Sequence, residues 1–278
     1  MGIALAALSA LMFGTADFAG GLASRRNALS SVLVYSQVAG VALSLVAAPL
    51  LGSDLIGAAD LAWAAAAGVT GAFGLAMLYR GLSTGIVAIV SPTAAVVGAA
   101  VPVVVGSAIG QAPSTTGWLG IAIALPAIFL LGWEPTRRPA NRSVRKSLLH
   151  GVLAGCGFGA FYILISFPSP AAGLWPLVAA RIASLAAVAG LAVATGRRLR
   201  PPTSDRALVF GGGLLDMGAN IAFVLSTRVA LLPLVSVVSS LYPAPTVVLG
   251  AIVLGQRLNV RRTVGLVLAV GGVILMSL

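Results

Sequence analysis

Acidic residues, histidine and cysteine are scarce in this chain, and each shortage argues against a class of function. Of 278 residues only 6 are Asp or Glu, and there are 1 His and 1 Cys. They form no cluster of His, Cys and carboxylate that would suggest a metal site or a catalytic nucleophile. The lone Cys156 excludes a disulfide within the chain, and we expect it to lie in the core of an apolar run. We therefore expect no metal, no cofactor and no enzymatic activity.

Charge of either sign is rare, and so is the alternation of polar and apolar residues. The chain is 8% charged and 59% hydrophobic, with a mean hydropathy of +1.07, whereas about a quarter of the residues of a globular protein are charged. The missing alternation argues against a membrane β-barrel. The composition predicts an all-α integral membrane protein.

Ten apolar runs are long enough to span a bilayer, which takes about 20 residues per helix. They lie approximately at residues 2–22, 31–52, 60–79, 85–109, 116–133, 148–167, 173–195, 207–227, 230–255 and 263–278. The first run lacks a charged leading segment, so we expect a first membrane helix and not a cleaved signal.

The basic residues favour membrane orientation over nucleic-acid binding as the reason for the net charge of +11. Of 17 Lys and Arg, 15 lie in the gaps after the odd-numbered runs, and the even-numbered gaps contain only Arg228. By the positive-inside rule the odd gaps are cytoplasmic and both termini are outside. We expect a multi-pass protein of the cell membrane, of the bacterial inner-membrane kind.

A basic hinge divides the chain into two halves of five runs each. We interpret residues 1–133 and 148–278 as two copies of one unit, joined by residues 134–147. Because five is odd, the second copy enters the membrane from the opposite side. This predicts two inverted five-helix repeats, an architecture that many secondary transporters use.

Short motifs recur in the same order in both halves. Phe13-Gly14 corresponds to Phe158-Gly159, Gln37 to Arg181, and Gly110-Gln111 to Gly255-Gln256. Prolines interrupt the fourth run (Pro92, Pro102) and the ninth run (Pro233, Pro243, Pro245). Each proline removes a backbone hydrogen bond, so the freed carbonyls should face protein or a cavity. The alternative is two kinked helices that only pack well.

Glycines four residues apart predict close helix packing. Gly151, Gly155 and Gly159 share one face of the sixth run, and Gly106 and Gly110 repeat the spacing in the fourth. We interpret both sets as packing faces.

Three segments carry a family resemblance: LMFGTADFAGG at 11–21, GFGAFYI at 157–163 and GQRLNVRRTVGLVLAVGGVIL at 255–275. Through them the chain resembles the EamA branch of the drug/metabolite transporter superfamily. It implies a ten-helix secondary carrier of small metabolites, often an exporter, with both termini inside, contrary to the charge count. Gln256 stands where the family commonly has Glu, and Phe13 and Asp17 stand where it commonly has Trp and Asn.

Three ionisable residues lie well inside the runs: Asp17, Arg181 and Asp216. Each costs about 2.5 to 3.5 kcal/mol near a helix centre, so they are expected to face the interior, a partner or water. Arg181 binds an anionic group or pairs with Asp216 or Asp17. A single pair leaves one carboxylate over, which makes Asp17 and Asp216 the candidates for proton coupling.

Further candidates surround these charges. Asn220 lies one turn after Asp216, with Gly212 and Gly213 leaving a clear space one turn before it. Tyr242 lies beside the predicted break in the ninth helix, and Gln37 is the counterpart of Arg181. We predict that Arg181, Asp216, Asn220, Tyr242 and Gln37 bind the solute. Tyr79 and Arg80, at a helix end, are expected to be interfacial anchors.

These features favour a secondary active transporter that moves a small organic metabolite through alternating access, and the family resemblance implies export. One alternative is a membrane-embedded enzyme acting on a lipid or isoprenoid phosphate, which would need clustered carboxylates, His or Arg. Another is a passive channel, which would need a charged or carbonyl-rich filter. The expected partners are a small-molecule solute and the lipid bilayer, with proton coupling and without nucleic acid.

Overall fold

The computed structural model describes residues 1–50, 56–133, 143–196 and 201–278. Its helices are α1 (Gly2–Ala23), α2 (Leu29–Leu50), α3 (Ala58–Thr84), α4 (Val87–Ala108), α5 (Thr115–Gly132), α6 (Val144–Ser166), α7 (Trp175–Ala194), α8 (Arg206–Thr227), α9 (Leu232–Ser239), α10 (Pro243–Leu254) and α11 (Val260–Ser277). A short 3-10 turn, Pro170–Ala172, precedes α7. The described residues contain no strand.

Within the described ranges, ten spans are long and apolar enough to cross a membrane, because α9 and α10 together form one span, Leu232–Leu254. The prediction of an all-helical protein with ten membrane helices is confirmed. The chain is a multi-pass membrane protein.

Helix ends follow local sequence signals. The side chains of Ser114, Ser143 and Asn259 accept hydrogen bonds from backbone N–H groups in the first turns of α5, α6 and α11. Gly110 and Gly255, predicted to correspond, follow α4 and α10 with φ of +91° and +63°, a conformation that glycine adopts without steric cost.

Helix α6 begins at Val144, four residues before the predicted start of the second repeat. The cap on Ser143 explains the difference, since hydropathy does not register a polar first turn. Residues 134–142 of the predicted hinge lie outside the described residues. The division into two repeats at this hinge stays a prediction.

The fourth and ninth spans, which the sequence predicts to be interrupted by prolines, differ. The ninth is broken at Ser240-Leu241-Tyr242, with Pro243 at the start of α10. Helix α4 is continuous through Pro92 and Pro102, so the prediction of a break there is wrong. Both prolines of α4 are buried within the protein, where neighbouring helices can offset the missing hydrogen bonds.

Helices in corresponding positions of the two halves make corresponding contacts. Helix α1 packs on α8, as α6 packs on α3. Helix α1 also packs on α9 and α10, as α6 packs on α4, and the last helices of the two halves, α5 and α11, pack on each other. At the last of these interfaces a Cβ on Gly120 would lie 2.6 Å from Met276 Cγ, and one on Gly265 would lie 2.9 Å from Leu131 Cγ. These two contacts are counterparts, since 265 exceeds 120 by the same number as 276 exceeds 131.

The predicted glycine face of α6 is confirmed. Gly151, Gly155 and Gly159 lie against the backbone and side chains of α4, and a Cβ on Gly155 would lie 2.8 Å from the Ala94 carbonyl oxygen. Gly110 does not share such a face, because α4 ends at Ala108.

Two further predictions about side-chain surroundings are wrong. Cys156 is exposed and not in the core, since an apolar face of a membrane helix suits lipid as well as protein. The space beside Gly212 and Gly213 is not clear, because Gly213 touches the backbone of Ser36 and Gly212 lies 3.5 Å from the Ala16 carbonyl oxygen, measured from an added Cβ.

Candidate functional site

A central cavity of about 250 Å³ lies between the two halves. It is lined from α1, α2, α3, α4, α6, α7 and α8 and from the break between α9 and α10. All six residues predicted as solute or proton sites line it: Asp17, Gln37, Arg181, Asp216, Asn220 and Tyr242. Residues from four helices and the break are thus brought together by the fold.

Arg181 on α7 organises one wall of this cavity. Its Nη1 donates to Gln37 Oε1 at 2.6 Å, and its Nη2 donates to Asp216 Oδ2 at 2.6 Å. Gln37 Nε2 in turn donates to Ser184 Oγ at 3.0 Å. The arginine is only 13% exposed, against 38% for Asp216. Of the two pairings considered from the sequence, the structure contains the one with Asp216.

Gly40 on α2 provides the space for this arginine. A Cβ at Gly40 would lie 3.2 Å from Arg181 Nε and 3.4 Å from its Cζ. The contacts at this crossing are reciprocal, since Gln37 bonds Arg181 and Ser184 while Arg181 lies against Gln37 and Gly40. In the predicted repeat Gln37 corresponds to Arg181 and Gly40 to Ser184, so positions of α2 and α7 that are predicted to be equivalent meet.

Asp17 on α1 is the spare carboxylate. It is exposed to the cavity although it lies within a membrane span, and it forms no hydrogen bond or ion pair within the part of the chain that the structure describes. Two carboxylates and one guanidinium therefore line the cavity, and only one carboxylate is paired.

Asn220 and Tyr242 reach the cavity in different ways. Asn220 is 5% exposed, and its Nδ2 donates to the backbone oxygen of Asp216 at 2.7 Å, which leaves the amide oxygen as its remaining polar atom. Tyr242 lies in the break between α9 and α10.

Aromatic rings cover much of the remaining wall. The cavity is lined by Phe13, Tyr79, Phe158, Phe161, Tyr162 and Tyr242. Tyr79 is therefore a cavity residue, and its assignment as an interfacial anchor is wrong. Tyr162, which sequence reasoning did not single out, stacks on Phe223 with ring centroids 4.4 Å apart. The aromatic-glycine motifs of α1 and α6 were the available signal for this aromatic wall.

The glycine of each aromatic-glycine motif lies at a helix crossing. Gly14 touches the carbonyl oxygen of Tyr242 and the ring of Pro245, and a Cβ on Gly159 would lie 2.7 Å from Val101 Cβ. At each motif the glycine lets its helix pack closely on the fourth or ninth span of the other half. The adjacent phenylalanine, Phe13 or Phe158, lines the cavity.

A second cavity of about 390 Å³ adjoins the first and shares Asp17, Ala95 and Tyr242 with it. It extends toward the gaps after α1 and α10, where it is lined by Arg25 and Gln256. This is the side on which the basic gaps after odd-numbered spans lie.

The end of the molecule opposite the second cavity is closed by a hydrogen bond that, among the described residues, has no equivalent at the end with the second cavity. Gln111 Oε1 accepts a hydrogen bond of 2.8 Å from the backbone N–H of Leu232, at the start of α9. In the predicted repeat Gln111 and Leu232 correspond to Gln256 and Val87, which both line the second cavity. Among the described residues the Gln256 side chain has no such hydrogen bond. The two ends of the molecule are thus in different arrangements.

The described residues contain no group of three or more His, Cys, Asp or Glu that could hold a metal ion. The polar chemistry of the cavity is one ion pair, one free carboxylate, amides, hydroxyls and aromatic faces. This set can bind and orient a small polar molecule.

Comparison with known proteins gives one family and one fold. No curated protein matches the chain in sequence. Fifteen chains of solved structures match it, and one, described only as "Crystal structure of protein", is 15% identical with a TM-score of 0.74, covering 98% of this chain and 98% of its own. That likeness shows a shared fold. Residues 142–278 match the model of the EamA-like transporter family. Residues 142–278, the second half described above, belong to the EamA-like transporter family, part of the drug/metabolite transporter superfamily.

Proposed function

We propose that this chain is a secondary active transporter of the cell membrane, which exports a small organic metabolite by alternating access through the central cavity. The main observation in support is that Asp17, Arg181 and Asp216, the three charged side chains predicted to lie well inside the spans, all line that one cavity. Ionisable side chains within a membrane are costly and mark solute or ion paths.

The difference between the two ends supports alternating access. One end is held by the hydrogen bond from the Leu232 N–H to Gln111, and the corresponding end has an open cavity lined by Gln256 and Val87. In the opposite state the two ends exchange roles, so that Gln256 holds the start of α4 and Gln111 is released. Transport by inverted repeats requires such an exchange.

Within the cavity the residues take different roles. Arg181 counters Asp216 and fixes Gln37, so these three form the rigid wall of the site. The second oxygen of Asp216, the Asn220 amide oxygen and the Tyr242 hydroxyl are the groups proposed to bind the solute. Asp17 is the proposed site of the coupling proton, because its carboxylate is not committed to a partner among the described residues.

The test begins with a ligand screen of the detergent-purified chain. A compound that binds only the folded protein raises its melting temperature by an amount set by its affinity. Each stabilising compound is then tested by counterflow, in which proteoliposomes loaded with unlabelled compound are expected to accumulate the labelled compound.

Protein-free liposomes and unloaded proteoliposomes are the controls. A compound that stabilises the protein but is never accumulated contradicts the transport proposal. A stabilising compound that is chemically converted supports the membrane-enzyme alternative instead.

A further inference from the structure

We propose that the transported solute is an organic cation, an amine or ammonium compound with a compact apolar or aromatic body. This inference rests on the proposed function and names the chemical class that the same cavity accepts. Four observations support it: the net charge of the cavity, the pairing of Arg181 with protein groups, the aromatic wall and the cavity volume.

The described residues that line the central cavity carry a net negative charge. Asp17 and Asp216 contribute two carboxylates, and Arg181 contributes one guanidinium that is paired with Asp216. Asp17, the proposed site of the coupling proton, has no hydrogen-bonding or ion-pairing partner within the described chain. An uncompensated charge at membrane depth is costly. A bound cation removes that cost in place of the proton, whereas a bound anion adds to it.

Arg181 is a poor site for an anionic solute. Its Nη1 and Nη2 each donate at 2.6 Å to protein acceptors, Gln37 and Asp216, and the side chain is only 13% exposed. A carboxylate on the solute that used the remaining N–H donors would lie beside the Asp216 carboxylate, whose negative charge repels it. The guanidinium is already neutralised by Asp216, and its main role is to fix the wall of the site.

The aromatic wall suits the same solute class. Phe13, Tyr79, Phe158, Phe161 and Tyr242 line the cavity that contains Asp17. The face of an aromatic ring attracts a cation, and the interaction strengthens when water is excluded. The rings also provide apolar surface for an uncharged body.

The cavity volume restricts the size of the body. About 250 Å³ is below the range of roughly 300–1,000 Å³ found for pockets that hold drug-sized ligands. An amine with a single ring or a short branched chain matches this space.

The test uses three probes that share a phenyl-bearing body and differ in charge: the cation 2-phenylethylamine, the zwitterion phenylalanine and the anion 3-phenylpropionate. A matched set of three has a cyclohexyl ring in place of the phenyl ring. Each is added near neutral pH to the detergent-purified full chain, at concentrations up to about 10 mM, and the melting temperature is recorded. We expect the amines to raise it and the zwitterions and anions to leave it unchanged.

Variants locate the binding charge. Asp17→Asn is expected to lose the shift caused by the amines, and Asp17→Glu, which keeps the charge, is expected to retain it. Asp60→Asn is the matched control, because Asp60 lies in the first turn of α3 and accepts a hydrogen bond from the Ser169 N–H at the protein surface, away from the cavity. It should respond to the amines as the parent does.

Each other outcome overturns the proposal. These outcomes are a larger shift with the zwitterions or anions, no shift with any amine, and an amine shift that survives in Asp17→Asn. The parent protein alone decides the first two, so they do not depend on how well a variant folds.

The outcome also separates this inference from the transport proposal. Counterflow of a neutral or anionic solute would support transport and overturn the cation class. Amines that bind through Asp17 but are never moved in counterflow would support the cation class and contradict transport.

Discussion

At the residue scale, the cavity depends on how a single arginine is held. Arg181 uses both terminal nitrogens at once, one on an amide oxygen from α2 and one on a carboxylate from α8. A guanidinium has this planar fork, whereas a lysine ammonium is a point charge on a flexible stem. The position therefore requires the shape of arginine as well as its charge.

Arg181→Lys is expected to reduce transport or ligand binding by about tenfold or more, because the point charge of lysine cannot hold Gln37 and Asp216 in place at once and the wall of the site loses its geometry. The melting temperature should fall only moderately, since one charge-assisted hydrogen bond worth about 1.5–3 kcal/mol is lost while the positive charge stays beside Asp216. Counterflow and thermal denaturation measure the two effects. Arg80→Lys is the control, at an exposed position near the end of α3. Transport by Arg181→Lys at the parental rate would show that charge alone suffices.

Asp216→Asn is expected to lower the free energy of unfolding, because it leaves the guanidinium of Arg181 without its ion-pair partner. The cost should be about 2 kcal/mol, below that of a fully buried pair, because Asp216 is 38% exposed. Denaturation of Asp216→Asn, Arg181→Met and the double variant forms a double-mutant cycle. We expect a coupling of about 1 kcal/mol or more between neighbours in contact. Additive losses would mean that the pair does not stabilise the fold.

At the element scale, the helices meet through glycines at defined crossings. The α6 glycines were predictable from their spacing, but their partner was not, since the sequence does not say which helix the face meets. The structure assigns them to α4, which belongs to the other half. The break in the ninth span was likewise predictable from its prolines, while the continuity of α4 was not.

Gly155→Ala is expected to destabilise the protein by about 1–3 kcal/mol, the usual cost of overpacking a close contact. A Cβ at this position would lie 2.8 Å from a backbone oxygen of α4, which cannot rotate away. Thermal denaturation in detergent measures the loss. Gly190→Ala on α7 is the matched control, since no atom lies within 4 Å of its added Cβ, and it should be neutral or slightly stabilising. Equal stability of both variants would contradict the close packing of α6 on α4.

At the scale of the whole molecule, the two ends differ in a way that predicts a conformational equilibrium. Gln111→Leu removes the acceptor for the Leu232 N–H, a loss of about 1 kcal/mol for one hydrogen bond. The population open at that end should rise about fivefold. Spin labels on Ala112→Cys and Val229→Cys, with Cys156→Ser to remove the exposed native thiol, would report longer distances by pulsed electron paramagnetic resonance.

The symmetry-related change provides the control for that experiment. The Gln256 side chain has no hydrogen bond to lose among the described residues, so Gln256→Leu should not increase the long-distance population. If the two variants give the same distance distribution, Gln111 does not hold that end closed.

Membrane orientation is also a property of the whole molecule. Arg26 pairs with Asp205 at 3.5 Å, which joins the gap after α1 to the gap after α7, so these two basic gaps lie on one side. The cation counted on the other side, Arg228, donates to the carbonyl oxygen of Gly173, and its partial burial lowers its pKa. The basic side is therefore the predicted cytoplasmic side, with both termini outside.

Single cysteines in a Cys156→Ser background test this orientation. An impermeant maleimide applied to intact cells is expected to label Ala171→Cys, which is exposed in the segment before α7, and to leave Thr203→Cys, which is exposed in the gap before α8, unlabelled until the cells are opened. The reverse labelling pattern would place both termini inside, as the family resemblance implies.

The sequence by itself determined the class of protein, the ten spans and the small set of ionisable groups inside them. These are properties of local composition: length and hydropathy define a span, and a charge within a span must face the interior. The same reasoning found Asp17, Arg181 and Asp216, and the recurrence of motifs pointed to Gln37 as the counterpart of Arg181.

The tertiary structure decided which side of each helix faces the protein. It paired Arg181 with Asp216 and left Asp17 without a polar partner among the described residues. It also placed Cys156 on the exposed side of α6 and brought Tyr79 and Tyr162 into the cavity. In water a helix buries its apolar stripe, so the stripe predicts its rotation. In a membrane lipid is as apolar as the core, so sequence pattern does not fix the rotation, and only the close contacts between helices do.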